Sequence, residues 1–551
     1  MSSQTADLSY SHGTSETPLL GETIGANLAR TTERFPTAEA MVDVPSGRRW
    51  TYQQLAADVD SLACGLLDLG ITTGDRVGIW SPNCPEWTLL QFATAKVGAI
   101  LVTINPAYRT HELAYALAQS GCRLLVSATG FKTSDYVAMV GEVRSETPGL
   151  DFVIFIGSPE WDSLAQPVAA EALAALEEVS SSLSADDPIN IQYTSGTTGF
   201  PKGATLSHHN ILNNGYMVGE LLHYTEADRV CIPVPFYHCF GMVMGNLACV
   251  SHGACMVIPA PAFDPAASLF AVQQERCTSL YGVPTMFIAE LALPDFDTYD
   301  LSSLRTGIMA GAPCPVEIMK QVVSVMHMED VSICYGMTET SPVSTQTRTH
   351  GDLEHRVSTV GQTHPHVEVK VVDPETGRTL ARGETGEFCT RGYSVMLGYW
   401  DEPAKTAEAI DQGRWMHTGD LAVMDRDGYL NIVGRIKDMV IRGGENVYPR
   451  EVEEFLYSHP AVVDVQVVGV PDEKYGEELC AWVIVKDGES LSHDDVKAFC
   501  QGKLAHFKIP RYVIVATEFP MTVTGKIQKF KMREDSITQL GLERAAGVTT
   551  A

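Results

Sequence analysis

No stretch of the 551-residue sequence approaches the roughly 18 to 20 consecutive apolar residues that a membrane span needs, which excludes a helical membrane protein. Positive charge is scarce: 39 Lys and Arg stand against 68 Asp and Glu, a formal net charge of −29. That balance disfavours nonspecific binding to nucleic acid and to anionic membrane surfaces. The 13 cysteines include no C-x-x-C pair and no zinc-knuckle spacing, so reduced thiols are expected, and the adjacent His238 and Cys239 are poorly placed to share one metal. Met1 to Leu20 lacks Lys, Arg and an apolar core, unlike a secretory signal or a basic transit peptide, and Val548-Thr549-Thr550-Ala551 is no peroxisomal address. A cytoplasmic protein is expected. Internal repeats and long low-complexity segments are also lacking.

What is present is ample apolar material, 45% of residues, in a chain too long for one ordinary core, so two or more domains are expected. Tyr52 to Leu69 and Trp87 to Gly98 have helical spacing. Arg76 to Trp80, Ile100 to Ile104, Arg123 to Ser127 and Phe152 to Ile156 read as strands of continuous rather than alternating hydrophobicity. Such strands between helices predict an α/β fold whose mainly parallel sheets are buried on both faces. Glu160 to Asp187, rich in Ala, Ser and Glu, is expected to be a helix and connector.

The most distinctive stretch is Tyr193-Thr194-Ser195-Gly196-Thr197-Thr198-Gly199-Phe200-Pro201-Lys202-Gly203. It follows a predicted strand, Ile189 to Tyr193, and leads to Ser207, a good N-cap for a helix over His208 to His223. Glycines interleaved with small hydroxyls leave backbone N–H groups free to turn toward a polyanion, and Lys202 adds a positive charge. This is a phosphate cradle without the G-x-x-x-x-G-K-[ST] spacing. Farther along, Gly311 closes an apolar run at a point where the backbone could approach a flat ligand. Tyr335-Gly336-Met337-Thr338-Glu339 offers an aromatic face, a hydroxyl and a carboxylate, suited to stacking, to a phosphate hydrogen bond and to a hard oxygen ligand for Mg²⁺. Asp420, after Thr418-Gly419, suits a ribose diol, and Arg435 can bind ribose and phosphate oxygens.

In their order and wording these motifs resemble the acyl-adenylate-forming, AMP-binding enzymes, which include acyl-CoA synthetases, luciferases and peptide-synthetase adenylation domains. The resemblance implies that Thr194, Ser195, Gly196, Thr197, Thr198, Gly199 and Lys202 hold the β- and γ-phosphates of ATP. It implies Gly311, Ala312 and Tyr335 at the adenine, Thr338 at the α-phosphate, Glu339 on Mg²⁺, and Asp420 and Arg435 at the ribose. His238 would border the acyl pocket, with Met242, Met244, Tyr281 and Met337 in its wall, and Lys526 would be the catalytic lysine. Lys437 matches the family's hinge, and Gly443-Gly444 would let the pantetheine arm of CoA pass.

From Asp438 the chain reads as a compact α+β unit: helix over Arg450 to Ser458, strands over Val462 to Val470 and Leu479 to Val485, helix over Ser492 to Leu504, strand over Tyr512 to Val515. The expected division is therefore an AMP-binding N-terminal domain, 1–436, and a small mobile C-terminal domain, 437–551, that carries Lys526. Met521 departs from the family, which often has a basic residue there. Lys529, Lys531 and the last helix around Ser536 read as solvated.

The implied activity is that of an ATP-dependent carboxylic acid:CoA ligase, forming an acyl-adenylate with release of pyrophosphate and then an acyl-CoA thioester. Arg391 to Tyr399 resembles the branch of acyl-CoA synthetase family member 2, which points to medium-chain fatty acids. The alternative is an adenylating enzyme that delivers its acyl group to a carrier protein or another acceptor. A nucleotide-binding regulator would have no need of Lys526. The expected partners are a carboxylic acid, ATP and CoA, with no nucleic acid and no membrane span; a homodimer is left open.

Overall fold

The computed structural model describes residues 7–194, 201–349, 351–442, 445–472, 474–522 and 527–546. The strands of continuous hydrophobicity pair as expected. Arg76–Trp80, Ile100–Thr103, Leu124–Ser127 and Phe152–Phe155 are mutually parallel, and Pro188–Thr194 joins them beside Ile100–Thr103. Helices Tyr52–Asp68 and Pro85–Val97 pack with this sheet around the fully buried Trp87 and Phe92. The first of them begins with a capping box, in which Thr51 and Gln54 satisfy each other's backbone N–H groups.

A second sheet of nine strands has a parallel centre built from Cys255–Ile258, Arg229–Cys231, Ser279–Gly282, Thr306–Ala310 and Asp330–Gly336. Both large sheets are thus parallel-rich and covered by helices. Helix His208–Leu221 starts at Ser207 as the sequence indicates, with Ser207 Oγ accepting from Asn210 N at 3.1 Å and Asn210 Oδ1 accepting from Ser207 N at 2.9 Å.

Three features depart from the sequence reading. Between the cradle and Ser207 the chain forms a further strand, Lys202–Ser207, antiparallel to Pro188–Thr194. Residues 160–187 hold two helices, Pro159–Leu164 and Ala170–Ser182, because Pro167 between them cannot supply a helical N–H. A third sheet of five strands, in the order Tyr10–His12, Val367–Val372, Thr385–Gly392, Met416–Met424, Leu430–Arg435, is antiparallel throughout.

Lys437 lies in the turn after Leu430–Arg435. Beyond it, strands Val440–Arg442, Glu445–Val447, Val462–Asp472, Gly476–Val485 and Tyr512–Val515 form one sheet, with an apolar cluster of its own that includes Val452, Val465, Leu479 and Val496. Helix Lys529–Leu540 is less solvated than its sequence indicates. Lys529 Nζ lies 2.5 Å from Glu453 Oε1 and 3.1 Å from the Val467 carbonyl, and the fully buried Ser536 accepts from Trp482 Nε1 at 2.8 Å. Among the described residues no helix is long and apolar enough to cross a membrane.

The glycine in Tyr335-Gly336-Met337 is required by packing. A Cβ added there would stand 1.7 Å from the Pro342 carbonyl oxygen, where the chain doubles back through a bulge between Asp330–Gly336 and Val343–Gln346. Gly336→Ala is expected to cost about 1–3 kcal/mol, as overpacking typically does, and to lower the apparent Tm at a fixed scan rate. Gly141→Ala serves as the control, since it lies in helix Tyr136–Val143 with nothing within 4 Å of the added atom. It is expected to be neutral or stabilising by up to about 1 kcal/mol. Equal Tm shifts in the two variants would contradict this account.

Candidate active site

In parallel α/β sheets, ligands bind beyond the carboxyl ends of the strands. Several of the residues singled out from the sequence sit there. Thr306–Ala310 and Asp330–Gly336 run side by side with Ala310 opposite Cys334, so Gly311, just past the end of its strand, is placed beside Tyr335. Gly311 has φ +88°, a conformation that a side chain would strain. Ala312 follows it, half-buried. Beyond Tyr335 the chain enters a short 3₁₀ turn, Thr338–Thr340, tightened by Thr340 N donating to Met337 O at 2.8 Å.

That turn brings Glu339 to Thr194, at the end of the strand Pro188–Thr194. Glu339 Oε1 accepts from Tyr399 Oη at 2.8 Å and lies 3.4 Å from Thr194 Oγ1, long for a hydrogen bond. Lys202 pairs with Thr194 across the hairpin, and its Nζ stands 4.2 Å from the Tyr399 ring centroid. Tyr399 therefore separates the lysine from the carboxylate while contacting both. Burial, and then the Glu339 charge, push the Tyr399 phenol well above its usual range, so it acts as a donor. A single, largely buried carboxylate among hydroxyls fits Mg²⁺, which commonly takes one or two protein carboxylates and completes its octahedron with substrate phosphates and water.

The second constellation centres on Asp420, 7% exposed. Tyr335 Oη donates to its Oδ2 at 2.7 Å, and Arg435 Nε donates to its Oδ1 at 3.0 Å. Asp420 and Arg435 are cross-strand partners in the antiparallel sheet, and the Tyr335–Asp420 bond joins that sheet to the parallel one carrying Tyr335. Burial and the Asp420 charge raise the Tyr335 phenol well above its usual value, and the same carboxylate raises the Arg435 guanidinium.

His238 precedes an eight-residue π-helix, Phe240–Leu247, and its Nδ1 accepts from Phe240 N at 3.2 Å. Gln192, on the strand that leads to the cradle, accepts from Cys239 N at 3.1 Å. Met242 and Met244 are buried in one apolar body with Phe240 and Tyr281, and Met337 packs against it. Tyr281 is fully buried, its Oη donating to Met244 O at 3.0 Å. Lys437 is exposed in its turn. Ser195, Gly196, Thr197, Thr198, Gly199, Gly443, Gly444 and Lys526 lie outside the described residues.

Sequence reasoning overlooked Tyr399, although it ends the Arg391 to Tyr399 stretch that resembles the family, and it overlooked what surrounds Asp420. Glu387 Oε1 accepts from Gly419 N at 3.1 Å, and its Oε2 lies 2.8 Å from His417 Nδ1. Contacts with the Cys389 sulfur and with Glu387 push the His417 imidazole up to about 10. Burial also raises the Cys389 thiol, which leaves Glu387 as the opposing charge. No local pattern marks these residues as a group.

The arrangement offers a lysine and a hydroxyl of the kind that suits phosphate, a carboxylate suited to a cation, and a carboxylate–guanidinium pair suited to a ribose. The family profile described as AMP-binding enzyme matches residues 28–400, and that of the AMP-binding enzyme C-terminal domain matches 451–526. YngI of Bacillus subtilis (strain 168), whose name assigns it provisionally as an acyl-CoA synthetase, is 52% identical over 95% of this chain and 99% of its own. ACSF2 of Danio rerio, named a mitochondrial medium-chain acyl-CoA ligase, is 46% identical over 98% of this chain and 92% of its own. The anthranilate CoA ligase AuaEII, solved with anthranoyl-AMP, superimposes with a TM-score of 0.86 at 28% identity, covering 96% of this chain and 99% of that one. With a profile over residues 28–400 and 52% identity to a relative across nearly its whole length, the chain belongs to the AMP-binding enzyme family and is an AMP-forming acyl-CoA synthetase.

Proposed function

We propose that the two constellations divide the nucleotide between them and that the acid activated is a medium-chain fatty acid. The observation that carries the reading is the placement of Thr194, Lys202 and Glu339 together at one strand end, with Glu339 only a few residues along the chain from Tyr335, which bonds Asp420 of the Asp420–Arg435 pair.

A carboxylate is a poor electrophile until its oxygen has a leaving group. In the first half-reaction the acid's carboxylate oxygen attacks the α-phosphorus of ATP, a P–O bond forms, and pyrophosphate leaves. Thr194 and Lys202, with Ser195 and Thr197, face the β- and γ-phosphates; Thr338 donates to the α-phosphate. Gly311, Ala312 and Tyr335 bound the adenine, and Asp420 accepts from the ribose diol beside Arg435. Mg²⁺ held by Glu339 would neutralise phosphate charge. Lys526 balances the charge that develops between carboxylate and phosphate. His238 borders the acyl group. No general base is required, because the attacking carboxylate is already ionised.

In the second half-reaction the thiol sulfur of CoA attacks the acyl carbon and AMP leaves. We assign the boundary between 1–436 and 437–551 to a hinge at Lys437, about which the C-terminal unit turns. That turn withdraws Lys526 and brings Gly443-Gly444 to the pantetheine arm. The separate sheet and apolar cluster beyond Val440 support this reading. The thirteen cysteines, all but Cys84 buried, support a reducing, cytoplasmic setting.

Lys526→Ala is expected to slow acyl-adenylate formation on the order of 10² to 10³-fold, the usual loss for one such electrostatic contact, as read by pyrophosphate exchange. Thioester formation from synthetic acyl-AMP and CoA should be far less affected. Equal losses in both assays would overturn the assignment of Lys526 to the first step only.

The apolar body of Phe240, Met242 and Met244, with its adaptable thioethers, and the medium-chain ligases among the relatives support the acyl preference. Across straight-chain acids, kcat/KM is expected to rise by up to about 0.8 kcal/mol of binding per methylene, to peak at medium length and then to fall. A flat profile, or a preference for an aromatic acid, would contradict the proposal.

A further inference from the structure

We infer that Glu387 is a positioning residue for the nucleotide, holding open the bulge that aims Asp420. The inference rests on the reading of Asp420 as the ribose acceptor. In the pairing of Thr385–Gly392 with Met416–Met424, Cys389 stands opposite His417 and Glu387 opposite Leu421. Three residues, Thr418, Gly419 and Asp420, therefore face Phe388 alone. Bulges of this kind re-aim side chains and free backbone groups from the ladder, and each freed group needs a partner.

Every partner is a specific one. Gly419, at φ +71°, donates its N–H to Glu387 Oε1 at 3.1 Å, and its carbonyl accepts from Ile436 N at 3.0 Å. Thr418 Oγ1 donates to the Phe388 carbonyl at 2.7 Å and accepts from Asp420 N at 3.1 Å. Of these contacts, the Gly419–Glu387 bond is the one that depends on a charged side chain.

Glu387 is largely buried, and a buried carboxylate is costly unless it is paired. His417 pairs it at 2.8 Å, and the other edge of the His417 ring lies 3.6 Å from Asp411 Oδ2. Asp411 is itself held, its Oδ1 accepting from Trp415 N at 2.9 Å. Glu387, Cys389 and His417 lie close enough to ligate a cation. However, both Glu387 oxygens already have partners, and the facing His417 nitrogen carries the proton that Glu387 accepts, so the group is satisfied as a hydrogen-bonded clamp. Were Gly419 N–H to lose its acceptor, the bulge could narrow toward a regular ladder. Because side chains alternate along a strand, a one-residue narrowing would turn Asp420 to the opposite face. Gly419 also joins the clamp to Ile436, next to Lys437, so the same bond steadies the chain entering the proposed hinge.

The test compares ATP with 2′,3′-dideoxy-ATP in pyrophosphate exchange on the full-length enzyme with a fixed fatty acid. The wild type is expected to favour ATP in kcat/KM by roughly 10- to 10³-fold, the range for losing charge-assisted hydrogen bonds to one carboxylate. Glu387→Asp keeps the charge but withdraws the oxygen from Gly419 N–H. It should shrink that ratio at least tenfold through KM for ATP, with KM for the fatty acid unchanged. Glu387→Gln keeps one oxygen at the same reach for Gly419 N–H and, with the carboxylate charge gone, His417 can present a bare nitrogen to the new amide N–H, so most of the ratio should be restored, whereas loss of a merely structural contact would not separate the two nucleotides. Asp420→Ala is the reference variant. A ratio unchanged in Asp420→Ala overturns the ribose reading and this inference with it. A ratio collapsed in Asp420→Ala but of wild-type size in Glu387→Asp overturns the inference alone.

Discussion

A carboxylate that is 7% exposed needs donors, and those of Asp420 come from two different sheets. Tyr335 reaches it from the parallel sheet and Arg435 from the adjacent antiparallel strand. The Arg435 side chain is 60% exposed, so water screens that ion pair, and pairs of this kind contribute only about 0–1 kcal/mol. The Tyr335 bond is better shielded and contributes more of the positioning. Because Tyr335 lies near the end of the strand that leads into the turn containing Glu339, the contact that joins the sheets also helps to set where that carboxylate stands.

The same economy applies around the cradle. The chain carries a net charge of −29, yet its substrates ATP and CoA are polyanions, so attraction has to be local. Lys202 could be neutralised by Glu339, which would leave nothing for phosphate. The ring of Tyr399 stands over the lysine while its hydroxyl bonds the acid, so both charges are held near each other without a direct salt bridge between them. Mg²⁺ and phosphate would each then meet an available partner.

The sequence by itself determined the parallel strands, because segments buried on both faces are apolar in consecutive positions rather than alternating ones, as Ile100 to Val102 and Leu124 to Val126 are. It determined the helix start at Ser207, a matter of side chains three residues apart. Motif order carried the family and the chemistry. Lys202–Ser207 was missed because a six-residue strand of small residues has little periodicity, and its pairing depends on the neighbouring strand. The clamp around Asp420 and the Tyr399–Glu339 bond were decided only by tertiary structure. Gly419 is 32 residues from Glu387, Tyr335 is 85 from Asp420, and Tyr399 is 60 from Glu339. No local periodicity relates residues so far apart. Their meeting follows from how strands align and where one bulges, which only the folded sheets determine.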